Sequence, residues 1–405
     1  IDYMLALILV LALCTAAAAV EAGLRHSVAE LSVPVSRMTG YSGAVQAREW
    51  LVSQLRGLGL GEIYRHEFAV PVPIDEGFWL EYGTETLELF GVWPNLVRTP
   101  TLPPAGVEGE LVYGGDGGQL EGKPVAGRIA LLDYASGSAW VDAFELGASA
   151  VVFLASQEGH RREADQKFLA VPADLPRLYA PRAAAARLLQ LEGARVVLRG
   201  KMDWRAVRAQ NIVVVVEGTD PELKTEAVYL GAHYDAISPV PALAPGAEQA
   251  LSAAALLELA KKFASDRPRR TVVLVWTAGH FQNMAGMRHF IPVLMAAAGR
   301  RDGGRVADSP LLQRLSALQL RFWTGLDLSA QSAVVGVFKP QAPYRTPLLT
   351  PPITDRLLAL ATAYEDSALG GVRMLANGLK QDFARQGLGG MAQTVPYGAS
   401  VAALA

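Results

Sequence analysis

The chain has 405 residues, enough for about two or three domains with sizeable cores. Its formal net charge of -2 provides no basic excess to neutralise phosphates, so the composition argues against nucleic acid as a partner. The single cysteine, Cys14, excludes an intramolecular disulfide and a cysteine-based zinc cluster.

The first apolar segment is a candidate membrane anchor. Residues 4–20 carry no charge and reach the lower limit of length for crossing a bilayer of about 30 Å. An alanine-rich end is typical of a cleaved signal peptide, whereas retention of the segment in the chain favours an anchor. A buried core helix would show a polar stripe, which is missing. We expect a single-pass anchor over residues 1–24, held in the lipid bilayer through residues 4–20, with the globular part extracytoplasmic.

The first half of the chain predicts short, separate elements. Helical spacing of apolar residues predicts a helix at 44–58, and residues 62–72 predict a strand that ends at a proline. Residues 100–109 are rich in proline and glycine and indicate a domain boundary. Beyond it, apolar runs predict strands at 111–113, 129–132 and 151–154 and a helix at 138–146. We expect a small α+β domain here.

The second half alternates strands and helices. Strands are predicted at 211–217, 227–231, 271–277 and 322–328, and helices at 249–264, 284–298 and 354–364. The run at 271–277 is nearly continuous in β-branched residues, which is typical of a strand buried on both faces. The alternation predicts an α/β fold with a mixed, mostly parallel central sheet and helices on both of its faces.

A histidine and an aspartate mark the end of one predicted strand. His233 and Asp235 follow the strand at 227–231, and loops at the carboxyl ends of strands commonly carry function. Because they are two residues apart in extended chain, both side chains project to the same side. A carboxylate beside a histidine fixes the tautomer of the ring, as it does around zinc. A structural His–Asp pair without metal is an equally good interpretation.

The order of motifs resembles the zinc aminopeptidase and glutamate-carboxypeptidase-like family of co-catalytic exopeptidases. The resemblance rests on His233-Tyr-Asp235, on VVLVWTAGHF at 272–281 and on TGLDL around Asp327. The segment RMTGYSGAVQA at 37–47 is similar to the usual beginning of the family, and residues 109–200 resemble its protease-associated insert. The resemblance implies an exopeptidase-like domain in two parts, 28–104 and 205–405, interrupted by a protease-associated domain at 105–204.

The same resemblance implies that most of the zinc site is lost. His233 and Asp327 match two metal ligands, but Gln249 stands where the family has the aspartate that bridges both zincs. His280 takes the position of the catalytic glutamate, and Phe281 takes that of a ligand. A phenylalanine cannot bind a metal, and a catalytic zinc needs about three protein ligands.

Further losses complete this expectation. The family's last ligand is a histidine, but no histidine follows His289. Without a glutamate at position 280, no carboxylate is placed to take a proton from an attacking water. We therefore expect no bound cofactor and no catalytic residue, with Asp235 and His280 as relics of the site.

Two hypotheses of function follow. The first is a pseudopeptidase that acts as an accessory or binding subunit with other membrane proteins. Nicastrin-like and transferrin-receptor-like members of the broad family likewise keep the fold as accessory or receptor proteins. A receptor for peptides or amines in the old cleft is a variant of this hypothesis. The alternative is an active, zinc-dependent aminopeptidase with an atypical or incomplete metal site, for example a mononuclear site of His233, Asp327 and His280.

Overall fold

The computed structural model describes residues 20–155, 161–168, 173–299 and 308–328, with residues 334–337, 362 and 393–396. The chain divides into two compact units, residues 1–327 and 328–405. The described helices are residues 20–32 (α1), Ser42–Gly57 (α2), Ala139–Glu145 (α3), Arg161–Lys167 (α4), Arg182–Gln190 (α5), Leu251–Ser265 (α6), Ala285–Ala297 (α7) and Pro310–Ser316 (α8).

The strands follow the same chain order. In the first unit they are Ile63–Tyr82 (β1), Glu85–Gly91 (β2), Val107–Gly115 (β3), Ile129–Asp133 (β4), Ala150–Leu154 (β5), Arg177–Ala180 (β6), Arg195–Val216 (β7), Glu226–His233 (β8), Thr271–Thr277 (β9) and Gln319–Leu326 (β10). In the second unit, Val334–Val337 (β11) and Gln393–Pro396 (β12) pair with each other in antiparallel fashion.

One large sheet organises the first unit. Its order is β1-β2-β6-β5-β4-β3-β7-β9-β8-β10. The strands β9, β8 and β10 run parallel, whereas β7 is antiparallel to both β9 and β1. The predicted mixed α/β fold with a large central sheet is therefore confirmed, although the sheet is less parallel than expected.

The long strands β1 and β7 belong to two groups of strands. The central sheet contains β9, β8 and β10, together with the C-terminal end of β7 at residues 212–216 and residues 63–75 of β1. Their other ends pair with β2 and β3, and the pairings β1-β2-β6-β5-β4-β3-β7 close into a ring because β1 also pairs with β7. The ring closes where residues 78–81 of β1 pair with both β2 and β7, whereas residues 63–75 of β1 pair with β7 alone and keep one unpaired edge.

The predicted ends of two strands are wrong. The strand predicted at 62–72 continues through Pro71 and Pro73 to Tyr82. Over residues 63–75 it pairs with β7 on one side, so a proline can face the unpaired edge without removing a ladder hydrogen bond. The strand predicted from Asn211 begins at Arg195, because the charged residues between them pair with β1 rather than form a loop.

Helices cover both faces of the central sheet, as predicted. On one face, α1, α2 and α6 contribute buried side chains such as Leu31 and Leu51 to one hydrophobic cluster that also contains Trp276 of β9. On the other face, α7 and α8 bury Phe290 and Leu315. All residues of β9 are buried, which explains its continuous apolar sequence.

Two predicted segments lie outside the described residues. They are the membrane segment at 4–20, of which residue 20 alone is described, and the helix at 354–364, of which residue 362 alone is described. Within the described part of the chain, no helix has both the length and the apolar character needed to cross a bilayer. The domain boundaries at residues 24, 104 and 204 stay predictions.

Candidate functional site

The candidate site lies at the carboxyl ends of three neighbouring parallel strands. His233, the last residue of β8, is in register with Thr277 at the end of β9. On the other side of β8, Leu326 of β10 is paired with Ala232, which places Asp327 at the same edge of the sheet. Parallel pairing therefore places His233, Asp327 and the loop after β9 at one edge of the sheet.

Asp235 is a fully buried carboxylate that holds two loops together. Its Oδ2 accepts hydrogen bonds from the Thr39 hydroxyl (2.9 Å) and from the backbone N–H of His280 (3.0 Å). The Thr39 hydroxyl in turn accepts one from the backbone N–H of Gly279 (2.9 Å). Thr39 was not predicted to belong to the site, although it lies in the segment that resembles the family's beginning.

His233 and Asp235 lie side by side, as their spacing predicts. The Nδ1 atom of His233 is 3.6 Å from Oδ1 of Asp235 and 3.2 Å from its backbone oxygen. Both side chains are nearly or fully buried. Oδ1 of Asp235 has no hydrogen-bond partner among the described residues, so it contacts the imidazole without a well-formed hydrogen bond.

Two imidazoles and a phenyl ring fill the space beside this pair. The rings of His233 and His280 are stacked, with centroids 4.1 Å apart and planes at 20°. The Phe281 ring meets both of them nearly at right angles, at centroid distances of 5.2 and 4.9 Å. Burial, and to a lesser degree the neighbouring His233, lowers the pKa of His280 and so favours the neutral form of its ring.

Gln249 serves the loop that follows Asp235. Its side-chain Oε1 accepts a hydrogen bond from the backbone N–H of Ile237 (2.8 Å), and its Nε2 donates to the Ile237 carbonyl (3.3 Å). Both ends of the amide are therefore bonded to the backbone of one residue, Ile237. A glutamine so engaged supports the loop and has no oxygen directed to a bridging metal.

A buried asparagine holds the loop that contains His280 and Phe281. Oδ1 of Asn211 accepts from the backbone N–H of Ala278 (3.1 Å), and Nδ2 donates to the carbonyl of Gly286 (2.9 Å). The same Nδ2 is 3.1 Å from Nδ1 of His66. Burial, with a smaller effect of His289, lowers the pKa of His66 to about 4, so its ring is neutral and can accept this hydrogen bond.

Comparison with known proteins identifies the stretch that carries these residues. Residues 211–297 match the model of peptidase family M28. The M28 stretch runs from the end of β7 through α7 and contains His233, Asp235, Gln249, His280 and Phe281, while Asp327 lies beyond it. No curated protein sequence matches the chain.

Similar solved structures include zinc-dependent and other aminopeptidases. A zinc aminopeptidase from Bacillus subtilis is 17% identical with a TM-score of 0.49, and the match covers 85% of this chain and 76% of that chain. In another structure of it, at 19% identity and a TM-score of 0.44, the match covers 66% of this chain and 64% of that chain. An aminopeptidase from Aneurinibacillus sp. strain AM-1 is 16% identical with a TM-score of 0.39, covering 93% and 84%.

The side chains of the M28 stretch do not fit a zinc ion as they stand. Among the described residues, no group of three or more His, Cys, Asp and Glu side chains is arranged to hold a metal. Gln249 is bonded to Ile237, and Phe281 offers only hydrocarbon.

The stacked histidines also argue against the mononuclear alternative. An imidazole binds zinc in the plane of its ring at about 2.1 Å. The planes of His233 and His280 are almost parallel and 4.1 Å apart at the centroids, so they meet far from both rings. One zinc could therefore not lie in both planes at bonding distance without rotation of a ring.

Proposed function

We propose that this chain is a zinc-exopeptidase-like protein without catalytic activity, which acts by binding other proteins. The observation that supports this most directly is the position of Phe281. Its ring packs edge-on against both His233 and His280, at the place where the family has a metal-binding carboxylate. Placing a zinc there would require expelling a packed aromatic ring and leaving a divalent cation without an anionic bridge.

The membrane segment and the insert domain also have roles in the proposed function. Residues 4–20 anchor the protein in the membrane as a single pass, with the globular part extracytoplasmic. Residues 105–204 form a protease-associated domain, for which the parallel pairing of β3, β4, β5 and β6 with one another is the supporting observation. The protein is an accessory subunit of a complex with other membrane proteins. The reason is that the exopeptidase-like fold is kept and can present a surface for binding, whereas residues at the positions of the zinc ligands and the catalytic glutamate are replaced.

An active zinc aminopeptidase is the second candidate, since the M28 match includes His233 and Asp235. Purified full-length protein is expected to contain far less than stoichiometric zinc and to leave aminoacyl-anilides intact. Elemental analysis and a turnover assay with and without chelator measure both. The positive control is a variant that combines Gln249→Asp, His280→Glu and Phe281→Glu, for which increased zinc uptake is expected. Stoichiometric zinc lost on His233→Ala, or chelator-sensitive turnover lost on Asp327→Asn, contradicts the proposal.

The binding role predicts a stable complex in the membrane. After purification in mild detergent, the full chain is expected to have a mass larger than that of its monomer and to retain other membrane proteins. Deleting residues 1–20 is expected to release them, while Phe281→Ala leaves the complex intact. A monodisperse monomer that carries no other protein contradicts the accessory role without affecting the conclusion on zinc.

A further inference from the structure

The segment Ser36–Thr39 joins α1 to the cleft. We define the cleft loops as residues 234–246 and 278–284, which follow β8 and β9 and carry or border every relic residue of the site except Asp327 and Gln249. The segment 36–39 lies between α1 and α2 and makes hydrogen bonds to α1 and to both cleft loops. We propose that it couples the position of α1 to the conformation of the cleft loops, so that displacing α1 loosens them.

The first link is the buried guanidinium of Arg37. It donates to carbonyls of the first cleft loop, at Tyr234 (2.8 Å), Pro245 (2.8 Å) and Gly246 (2.7 Å). It also donates to the carbonyl of Leu31, in the last turn of α1. Carbonyls in the last turn of a helix have no partner within the helix, so Arg37 supplies the missing donor.

Because the guanidinium of Arg37 is charged and buried, losing any of its hydrogen-bond acceptors is costly. The side chain is fully buried, and burial lowers its pKa to about 10, an effect that the charge of Asp235 partly opposes. Among the described residues, the hydrogen bonds of its guanidinium go to four backbone carbonyls. A buried cation that loses one of so few acceptors is strongly destabilised, and both elements that supply them are therefore held in place.

The backbone of the segment adds a second link to the same loop. The N–H of Arg37 donates to the carbonyl of Ala244 (2.8 Å), and its carbonyl accepts from the N–H of Ala236 (3.2 Å). The hydroxyl of Ser36 donates to the carbonyl of Pro241 (2.7 Å). The first cleft loop is thus bonded to the segment near its start, middle and end.

The third link reaches the second cleft loop through Thr39. Its hydroxyl accepts from the N–H of Gly279 and donates to Asp235, which accepts from the N–H of His280. Hydrogen bonds of Arg37 and Thr39, joined by the backbone between these two residues, therefore connect the last turn of α1 to the backbone beside the stacked histidines. This coupling follows from the contacts of α1 and does not require the cleft to be free of metal.

Amide hydrogen exchange of the full chain tests the coupling. Arg37→Lys keeps the charge but removes the planar fork that reaches four carbonyls. It is expected to speed exchange of the amides of Ala236, Gly279 and His280 by about tenfold, the effect of losing roughly one hydrogen bond. Arg25→Lys is the matched control, because Arg25 is an exposed residue of α1 that pairs with Glu21, and it is expected to change nothing in the loops.

A second variant displaces α1 without touching the segment. Ser27 is 1% exposed in α1, so Ser27→Leu forces the helix away from its neighbours. Faster exchange in α1 accompanied by faster exchange in both cleft loops supports the coupling. Faster exchange in α1 with unchanged exchange in the loops overturns it. An equal increase in the exchange rate of β4 also overturns it, since that would indicate that the whole protein has become less stable.

Discussion

Asn211→Ala is expected to lower the free energy of unfolding by about 2 kcal/mol, because it leaves the buried N–H of Ala278 without its partner and removes one of the hydrogen bonds to the Gly286 carbonyl. Asn211 is fully buried and is the bonded partner of the Ala278 N–H and the Gly286 carbonyl. Each unsatisfied buried group costs about 1–3 kcal/mol. Unfolding in urea, followed by circular dichroism, measures the change.

Gln210→Ala provides the control for this prediction, since Gln210 precedes Asn211 in the same strand. Gln210 is half-buried, and its side chain donates to Glu67 and accepts from Arg65 at the surface of the sheet, so its loss is expected to change stability by no more than about 0.5 kcal/mol. Equal effects of the two substitutions would show that the asparagine does not hold the loop as described.

Gly43→Ala is expected to destabilise the protein by about 2 kcal/mol, although alanine is the better helix former by about 1 kcal/mol. Gly43 lies in the first turn of α2, against the chain that enters the segment 36–39. A Cβ atom there would be 2.0 Å from the carbonyl oxygen of Ser36 and 2.6 Å from Cβ of Pro34. Because the Ser36 contact is with backbone, the helix or the segment must shift.

Gly57→Ala, in the last position of the same helix, is the control, because it is expected to change the free energy of unfolding in the opposite direction. A Cβ atom at Gly57 meets no atom within 4 Å, so this substitution is expected to stabilise the protein by about 0.5 kcal/mol. Thermal or urea unfolding of both variants gives the comparison. Stabilisation by Gly43→Ala would mean that α2 does not approach Ser36 as closely as the structure has it.

Local sequence patterns predicted the central elements well. The continuous apolar run at 271–277 is the strand β9 at the same residues, and the alternation of strands and helices predicted a mixed α/β sheet. The spacing of His233 and Asp235 predicted that their side chains lie together. These features depend on periodicity within a few residues, which a sequence displays directly.

Contacts between distant residues were beyond the reach of such patterns. Pro71 and Pro73 suggested the end of a strand, because nothing nearby shows that β1 has an unpaired edge there. Thr39 and Arg37 lie in a glycine-containing turn, and their burial depends on loops about two hundred residues away. The stacking of His233 on His280 likewise requires the register of β8 and β9, which no local signal gives.

The pairing of β1 with β7 sets the order in which the chain can fold. Ile63 pairs with Val214, so during synthesis β1 cannot complete its pairing with β7 until the whole intervening chain has been made. Contacts of such long sequence separation slow folding, since the loop must close before the pairing contributes. In the meantime an exposed strand is open to wrong partners, and Pro71 and Pro73 remove donors from it. The two prolines thus leave β1 fewer N–H donors with which a second chain could pair.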